Sequence, residues 1–114
     1  MKRLQGKTAV VTGGSRDIGR AICVKLAAEG AKVCINYLRN EEKALETLEM
    51  VKAIGGEAIL YRADVTKAEE VAAMLQAAAE AFGGKIDILV NNAGTGAVAP
   101  AEEITDEQFR HEMN

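Results

Sequence analysis

A glycine-rich turn near the N-terminus is the feature of the sequence with the clearest chemistry. It follows the apolar run Thr8–Thr12, and from Thr12 to Gly19 it reads Thr-Gly-Gly-Ser-Arg-Asp-Ile-Gly. Phosphates are bound by backbone N–H groups, and glycines between a strand and a helix let the backbone approach closely while the helix dipole adds positive charge. Glycine is also common at any sharp bend, so a structural role stays open. The strand-turn-helix context favours a phosphate site.

Alternating strand and helix patterns surround this turn. Apolar and β-branched runs predict strands, and apolar residues at helical spacing predict helices. Their order implies a parallel sheet with helical crossovers. Strands are expected at Thr8–Thr12, Lys32–Tyr37, Glu57–Arg62 and 86–91, and helices at 18–29, 41–54, 67–82 and from Thr105 onward.

Polar residues predict where helices begin. Asn40 is expected to cap helix 41–54. Thr66 with Glu69, and Thr105 with Gln108, have the spacing of a capping box. The segment 95–103 contains the one proline of the chain and is expected to be a loop.

Composition indicates a single globular domain over residues 1–114. The chain is 48% apolar and 27% charged, which excludes a disordered protein. Its net charge of −3 gives no basic footprint for nucleic acid or an anionic membrane. It shows neither a signal peptide nor an apolar run typical of a membrane span, so a cytoplasmic protein is expected. For Cys23 and Cys34, reduced thiols are favoured over an isolated disulfide.

Three motifs resemble those of the short-chain dehydrogenase/reductase family. Thr12 to Gly19 is similar to the family's TGxxxGxG signature, Asp64-Val65 to its adenine-binding pair, and residues 91–94 to its NNAG motif. The segments NYLRNEEKALE and GGEAILYRADVT look most like the 3-oxoacyl-acyl-carrier-protein reductase and sugar dehydrogenase branches. The resemblance implies an α/β, Rossmann-type doubly wound parallel sheet. This chain would supply four of its strands, in the order 3-2-1-4.

The resemblance also implies a cofactor site. Asp64 would accept a hydrogen bond from the adenine amino group, and the backbone of Val65 would lie along the ring. For Asn91 and Asn92, a structural role in holding the strands and a contact with the ribose are both open. The full set of expected contacts is Gly13, Ser15, Arg16, Asp17, Ile18, Gly19, Asn36, Arg39, Asp64, Val65, Asn91, Asn92, Ala93 and Gly94.

Asp17 stands where the family has its middle glycine. A carboxylate beside a pyrophosphate is unfavourable, although a helix N-terminus stabilises it. An outward-pointing side chain and a modest loss of cofactor affinity are therefore expected.

The end of the second strand bears on the choice between NADP and NAD. An NAD site places a carboxylate there to bind the ribose 2′-hydroxyl, but residues 36–39 read Asn-Tyr-Leu-Arg. Arg16 and Arg39 suit a 2′-phosphate by charge and geometry, unless both are solvated surface residues. NADP is the expected cofactor, with NAD as second choice.

The groups that would perform catalysis are missing from the sequence. The family's proton donor is the tyrosine of a Tyr-x-x-x-Lys motif, and neither Tyr37 nor Tyr61 is followed by lysine at that spacing. The one serine, Ser15, lies in the phosphate turn, and His111 fits a surface residue better than a catalytic one. No cluster has metal-ligand spacing.

The chain is therefore expected to be the cofactor-binding part of an NADP-dependent oxidoreductase, incomplete at its C-terminus and inactive alone. A silent nucleotide-binding fragment and a nonfunctional truncated product are the alternatives. The parent would act on a small carbonyl or alcohol and form a homo-oligomer. Here the fourth strand would leave an unpaired edge, so self-association of the fragment is expected.

Overall fold

Four parallel strands form the centre of the molecule, and their carboxyl ends lie along the same edge of the sheet. A computed structural model describes residues 3–14 and 17–92, and the backbone of residues 97–100. Its elements, in chain order, are β1 (Thr8–Thr12), α1 (Asp17–Ala28), β2 (Lys32–Tyr37), α2 (Glu41–Ala53), β3 (Glu57–Arg62), α3 (Ala68–Ala81), β4 (Ile88–Asn91) and β5 (Ala97–Pro100).

The sheet has the order β3-β2-β1-β4-β5. The first four strands are parallel, with Val10 opposite Cys34 on one side and Leu89 on the other. The predicted order 3-2-1-4 is confirmed. Of the predicted strand 86–91, residues 88–91 lie in β4.

The predicted loop 95–103 is wrong for its central part. Residues 97–100 form β5, which pairs antiparallel with β4 from Asn91↔Ala97 to Ile88↔Pro100. A proline is tolerated in a strand outside the sheet centre, which is where Pro100 lies. The outer edge of β4 is therefore paired, and the reason for expecting self-association through that edge is removed.

Helices cover both faces of the sheet. On one face, α1 and α2 pack through Cys23, Ala27 and Val51 against β-strand residues such as Val33 and Ile35. On the other face, α3 packs through Val71, Met74 and Ala78 against Val10, Cys34 and Leu89. Successive residues of a strand point to opposite faces of the sheet, as Cys34 and Ile35 do in β2. Both faces are therefore apolar and covered by helices, which is the expected doubly wound arrangement.

The two cysteines lie on opposite faces of the sheet. Cys23 belongs to the layer beneath α1 and α2, whereas Cys34 belongs to the layer beneath α3. Both are free, as expected, and burial raises the pKa of each thiol to about 12. They are therefore protonated, unreactive core residues at neutral pH.

Two expected helix caps are absent. Asn40 precedes α2, but its side chain makes no capping bond; only its carbonyl accepts from the Ala44 N–H, at 2.9 Å. The capping box of Thr66 and Glu69 is wrong, because Lys67 is the N-cap of α3 and the Thr66 hydroxyl bonds to Asp64 instead. The predicted box at Thr105 and Gln108 lies outside the described residues.

Candidate functional site

A groove runs across the carboxyl ends of β1, β2, β3 and β4. Its volume is about 540 Å³, and each of these four strands contributes residues that follow it in the chain. In a doubly wound sheet this edge is where ligands bind, at the point between β1 and β4 where the strand order reverses. Of the expected site residues, the groove is lined by Gly13, Asp17, Ile18, Asn36, Arg39, Asp64, Val65 and Asn92.

The turn after β1 is shaped by glycine. Gly13 has φ +64°, and its carbonyl accepts a hydrogen bond from Asn92 Nδ2 at 3.1 Å. A Cβ atom at Gly19 would overlap that carbonyl oxygen and approach Asn92 Nδ2 to 2.8 Å. The first turn of α1 can therefore lie against the strand ends only because Gly19 has no side chain. Ser15 and Arg16 lie outside the described residues.

Asp17 begins α1 with φ +52°. Among the described residues it is the one non-glycine residue with a positive φ. It occupies the position of the signature's middle glycine, and it adopts the left-handed conformation that glycine enters freely. Its side chain is exposed at the margin of the groove, so a negative charge faces the solvent beside the turn after β1.

Asn36 joins three strand ends with one buried amide. Its Oδ1 accepts from the Gly13 N–H at 3.2 Å, and its Nδ2 donates to the carbonyls of Ala63 and Tyr61 at 3.1 and 3.3 Å. The residue is 3% exposed. Both ends of the amide are engaged by backbone, so the structure gives Asn36 a positioning role between the turns after β1 and β3.

Asp64 and its neighbours form a turn held by side chains, which we call the Asp64 loop (residues 63–67). Asp64 Oδ1 accepts from the N–H and the hydroxyl of Thr66, at 2.9 and 2.6 Å. The Asp64 N–H donates to Glu70 Oε1 at 2.8 Å. The bonds from Thr66 hold the pKa of Asp64 below its usual range, with smaller contributions from the charges of Lys67 and Arg39. Asp64 is therefore an ionised acceptor at neutral pH.

The segment between β2 and α2, residues 38–40, contains one cation and no carboxylate. Arg39 is exposed beside the groove, and Arg62 Nε donates to the carbonyl of Leu38 at 3.0 Å, which fixes the segment from β3. The nearest carboxylate along the chain, Glu41, accepts from the Tyr37 hydroxyl at 3.1 Å. Burial, and then this contact, raise the pKa of Tyr37.

The two asparagines after β4 differ in their surroundings. Asn91 is 5% exposed, and its Oδ1 lies 3.5 Å from the hydroxyl of Thr12, which itself donates to the Val90 carbonyl at 3.2 Å. Asn92 lines the groove and bonds to Gly13. Asn91 thus joins β4 to β1, whereas Asn92 joins the end of β4 to the turn after β1. Ala93 and Gly94 lie outside the described residues.

The sequence did not reveal the residues whose side chains anchor the segment after β2 and the Asp64 loop. Arg62, Thr66 and Glu70 each anchor a site segment through one side-chain bond. Polar side chains at a strand end or helix start are common, so only their contacts reveal the role. Within the described ranges no group of acidic, cysteine or histidine residues could hold a metal ion, and no helix is long and apolar enough to cross a membrane.

The family described as short chain dehydrogenase has a sequence profile that matches residues 7–114. The chain belongs to this family. The order of its four parallel strands is that of the Rossmann-like fold of its relatives.

Relatives of known sequence and structure match the chain at substantial identity. An uncharacterized oxidoreductase of Methylorubrum extorquens is 44% identical over 110 residues, which make up 96% of this chain and 44% of that protein. The crystal structure of a dehydrogenase/reductase from Sinorhizobium meliloti has a TM-score of 0.77 and 44% identity, over 95% of this chain and 42% of that one. A short chain dehydrogenase from Burkholderia cenocepacia, solved in complex with NADP, has a TM-score of 0.77 and 42% identity, over 97% and 45%. The chain thus spans less than half the length of these relatives.

Proposed function

We propose that this chain binds NADP and forms the cofactor-binding part of a short chain dehydrogenase. The whole protein would transfer a hydride between the nicotinamide and a small carbonyl or alcohol. The observation that carries the proposal is the groove itself, where a glycine turn, an ionised Asp64 and an exposed arginine line one continuous surface.

The described residues fit the parts of a dinucleotide in order. The pyrophosphate would lie against Gly13 and the start of α1, which Gly19 allows to pack closely against the ends of the strands. The adenine would lie against Val65 with its amino group toward Asp64. Asn92 would lie between the phosphates and the ribose on the nicotinamide side. Ser15, Arg16, Ala93 and Gly94 remain proposed contacts on the strength of the motifs alone.

Arg39 supports NADP over NAD. It is exposed at the end of β2, in the segment where an NAD site would have its carboxylate. A guanidinium binds a phosphate through charge-assisted hydrogen bonds that contribute about 1.5–3 kcal/mol when well formed. The NADP complex of the Burkholderia cenocepacia relative agrees with this choice.

We expect this chain alone to show no turnover. Its sequence has no Tyr-x-x-x-Lys motif, and loss of a general acid typically lowers a rate about 10²–10⁴-fold. The catalytic step, the substrate pocket, homo-oligomerisation and a cytoplasmic location are proposals for the whole protein.

Calorimetric titration of the chain with NADP and NAD tests the proposal. NADP is expected to bind more tightly, and Arg39→Ala is expected to lower the preference about tenfold. Lys52→Ala is the matched control, because Lys52 is an exposed cation in the last turn of α2, at the other end of the sheet. Equal affinity for both dinucleotides would contradict the assignment of NADP, and absence of saturable binding would contradict the proposed function.

A further inference from the structure

The Asp64 loop is tied to α3 by one carboxylate. Glu70 lies in the first turn of α3, and its Oε1 accepts the Asp64 N–H at 2.8 Å. In a capping box the acidic residue at this helix position would reach back to the N-cap N–H, which here belongs to Lys67. The Lys67 N–H instead donates to the Asp64 carbonyl at 3.0 Å, so both backbone polar groups of Asp64 are directed toward the start of α3.

The bond between Glu70 and the Asp64 N–H connects a fixed helix start to a carboxylate that lines the groove. The next residue of α3, Val71, is buried, as is Met74 one turn later, so the helix start is fixed by the core. Asp64 Oδ1 is occupied by Thr66, whereas Oδ2 has no hydrogen-bond partner among the described residues. The orientation of Oδ2 therefore depends both on Thr66 and on how the Asp64 backbone is held by Glu70.

We propose that Glu70 is a positioning residue that sets selectivity for adenine by holding Asp64 in the groove. The inference rests on the proposed dinucleotide function, since it concerns the base that Asp64 would contact. A carboxylate accepts a hydrogen bond from the 6-amino group of adenine, but it repels the 6-oxo group of hypoxanthine. Selectivity between the two bases therefore reports the placement of Asp64 and not merely the stability of the fold.

The other contact of Glu70 can be separated from this one. Lys67 Nζ lies 3.7 Å from Glu70 Oε2, and both side chains are substantially exposed. Exposed ion pairs contribute little, so this pair is not expected to position the loop. Lys67→Ala removes the pair and leaves the bond from Glu70 to the Asp64 N–H.

The experiment measures the affinities of the chain for NADP and for its hypoxanthine analogue by calorimetry. The unmodified chain is expected to prefer NADP by roughly tenfold, as one hydrogen bond to a charged group allows. Glu70→Ala is expected to reduce this ratio at least threefold. Glu70→Gln keeps an acceptor oxygen and should restore the ratio, and Lys67→Ala should leave it unchanged. The melting temperature of each variant is measured alongside.

Three outcomes of the experiment would contradict the proposals, and they can be told apart. If the unmodified chain binds neither dinucleotide, the proposed function fails and this inference with it. If it binds both with equal affinity, Asp64 does not read the base and the inference is overturned. If Glu70→Ala lowers the melting temperature but keeps the full preference for NADP, Glu70 is only a structural residue.

Discussion

The turn after β1 and the Asp64 loop lie at the same end of the sheet but are held in different ways. The first depends on an absence of side chains, because Gly19 must leave space for the Gly13 carbonyl. The second depends on side chains, because Thr66 and Glu70 hold Asp64 from both sides. A side chain added at Gly19 should therefore disrupt the turn after β1 by steric overlap. Loss of a hydrogen bond from Thr66 or to Glu70 should disrupt the Asp64 loop, whose stability should also depend on pH because Asp64 is ionisable.

The largest effect is expected at Gly19. Gly19→Ala places a methyl group against the Gly13 carbonyl and should destabilise the fold by about 3 kcal/mol, the upper range for overpacking, while abolishing dinucleotide binding. Gly55→Ala is the control: its site is open but has φ +82°, so only the left-handed strain of about 1 kcal/mol is expected. Urea unfolding measures both. Equal losses in the two variants would show that the close approach at Gly19 is unimportant.

Asn36 tests whether the two regions depend on a shared anchor. Asn36→Ala leaves the Gly13 N–H and the Ala63 carbonyl without their buried partner, and should lower the free energy of unfolding by about 2 kcal/mol. Dinucleotide affinity should fall as well. Asn40→Ala, which removes an amide that makes no capping bond, should change stability by less than about 0.5 kcal/mol. A neutral Asn36→Ala would mean that the two turns are held independently.

The sequence predicted the first region better than the second. The spacing from Gly13 to Gly19 marks the turn because the requirement is steric, and few residues other than glycine satisfy it. The Asp64 loop was located by motif, but its anchors were not, since Glu69 and Glu70 are equivalent along the sequence and only the helix geometry selects Glu70. Strand β5 was missed for the same reason: its pairing with β4 is a tertiary contact within a segment that contains proline.

Asp17 separates charge from conformation in the turn after β1. We expect Asp17→Gly and Asp17→Asn each to tighten NADP binding several-fold at low salt, because both remove a negative charge beside the phosphates. Asparagine tolerates the left-handed conformation that Asp17 adopts at φ +52°, so the two variants differ mainly in backbone freedom. Titration calorimetry at two salt concentrations measures the effect. A gain confined to Asp17→Gly would show that backbone conformation, and not charge, limits binding.

The smallest effect concerns the pH dependence of the Asp64 loop. The pKa of Asp64 is lowered chiefly by the Thr66 hydroxyl, so the stability it contributes is present above the ordinary aspartate pKa and is lost as pH falls through the lowered value. Thr66→Val removes the hydroxyl and should move the pKa of Asp64 back up. Carboxyl chemical shifts between about pH 2 and 6 measure the change. An unchanged pKa in the variant would mean that the hydroxyl does not hold Asp64.

Titration of the isotope-labelled chain with NADP, followed by amide chemical shifts, tests whether one groove at the carboxyl ends of β1 to β4 binds the dinucleotide. We expect saturable shifts at Gly13, Asn36, Asp64 and Asn92, with none at Thr8 and Asp87, which are hydrogen-bonded to each other at the opposite end of the sheet. If no shift is saturable, or if the shifts centre on Thr8 and Asp87, the dinucleotide does not bind in this groove.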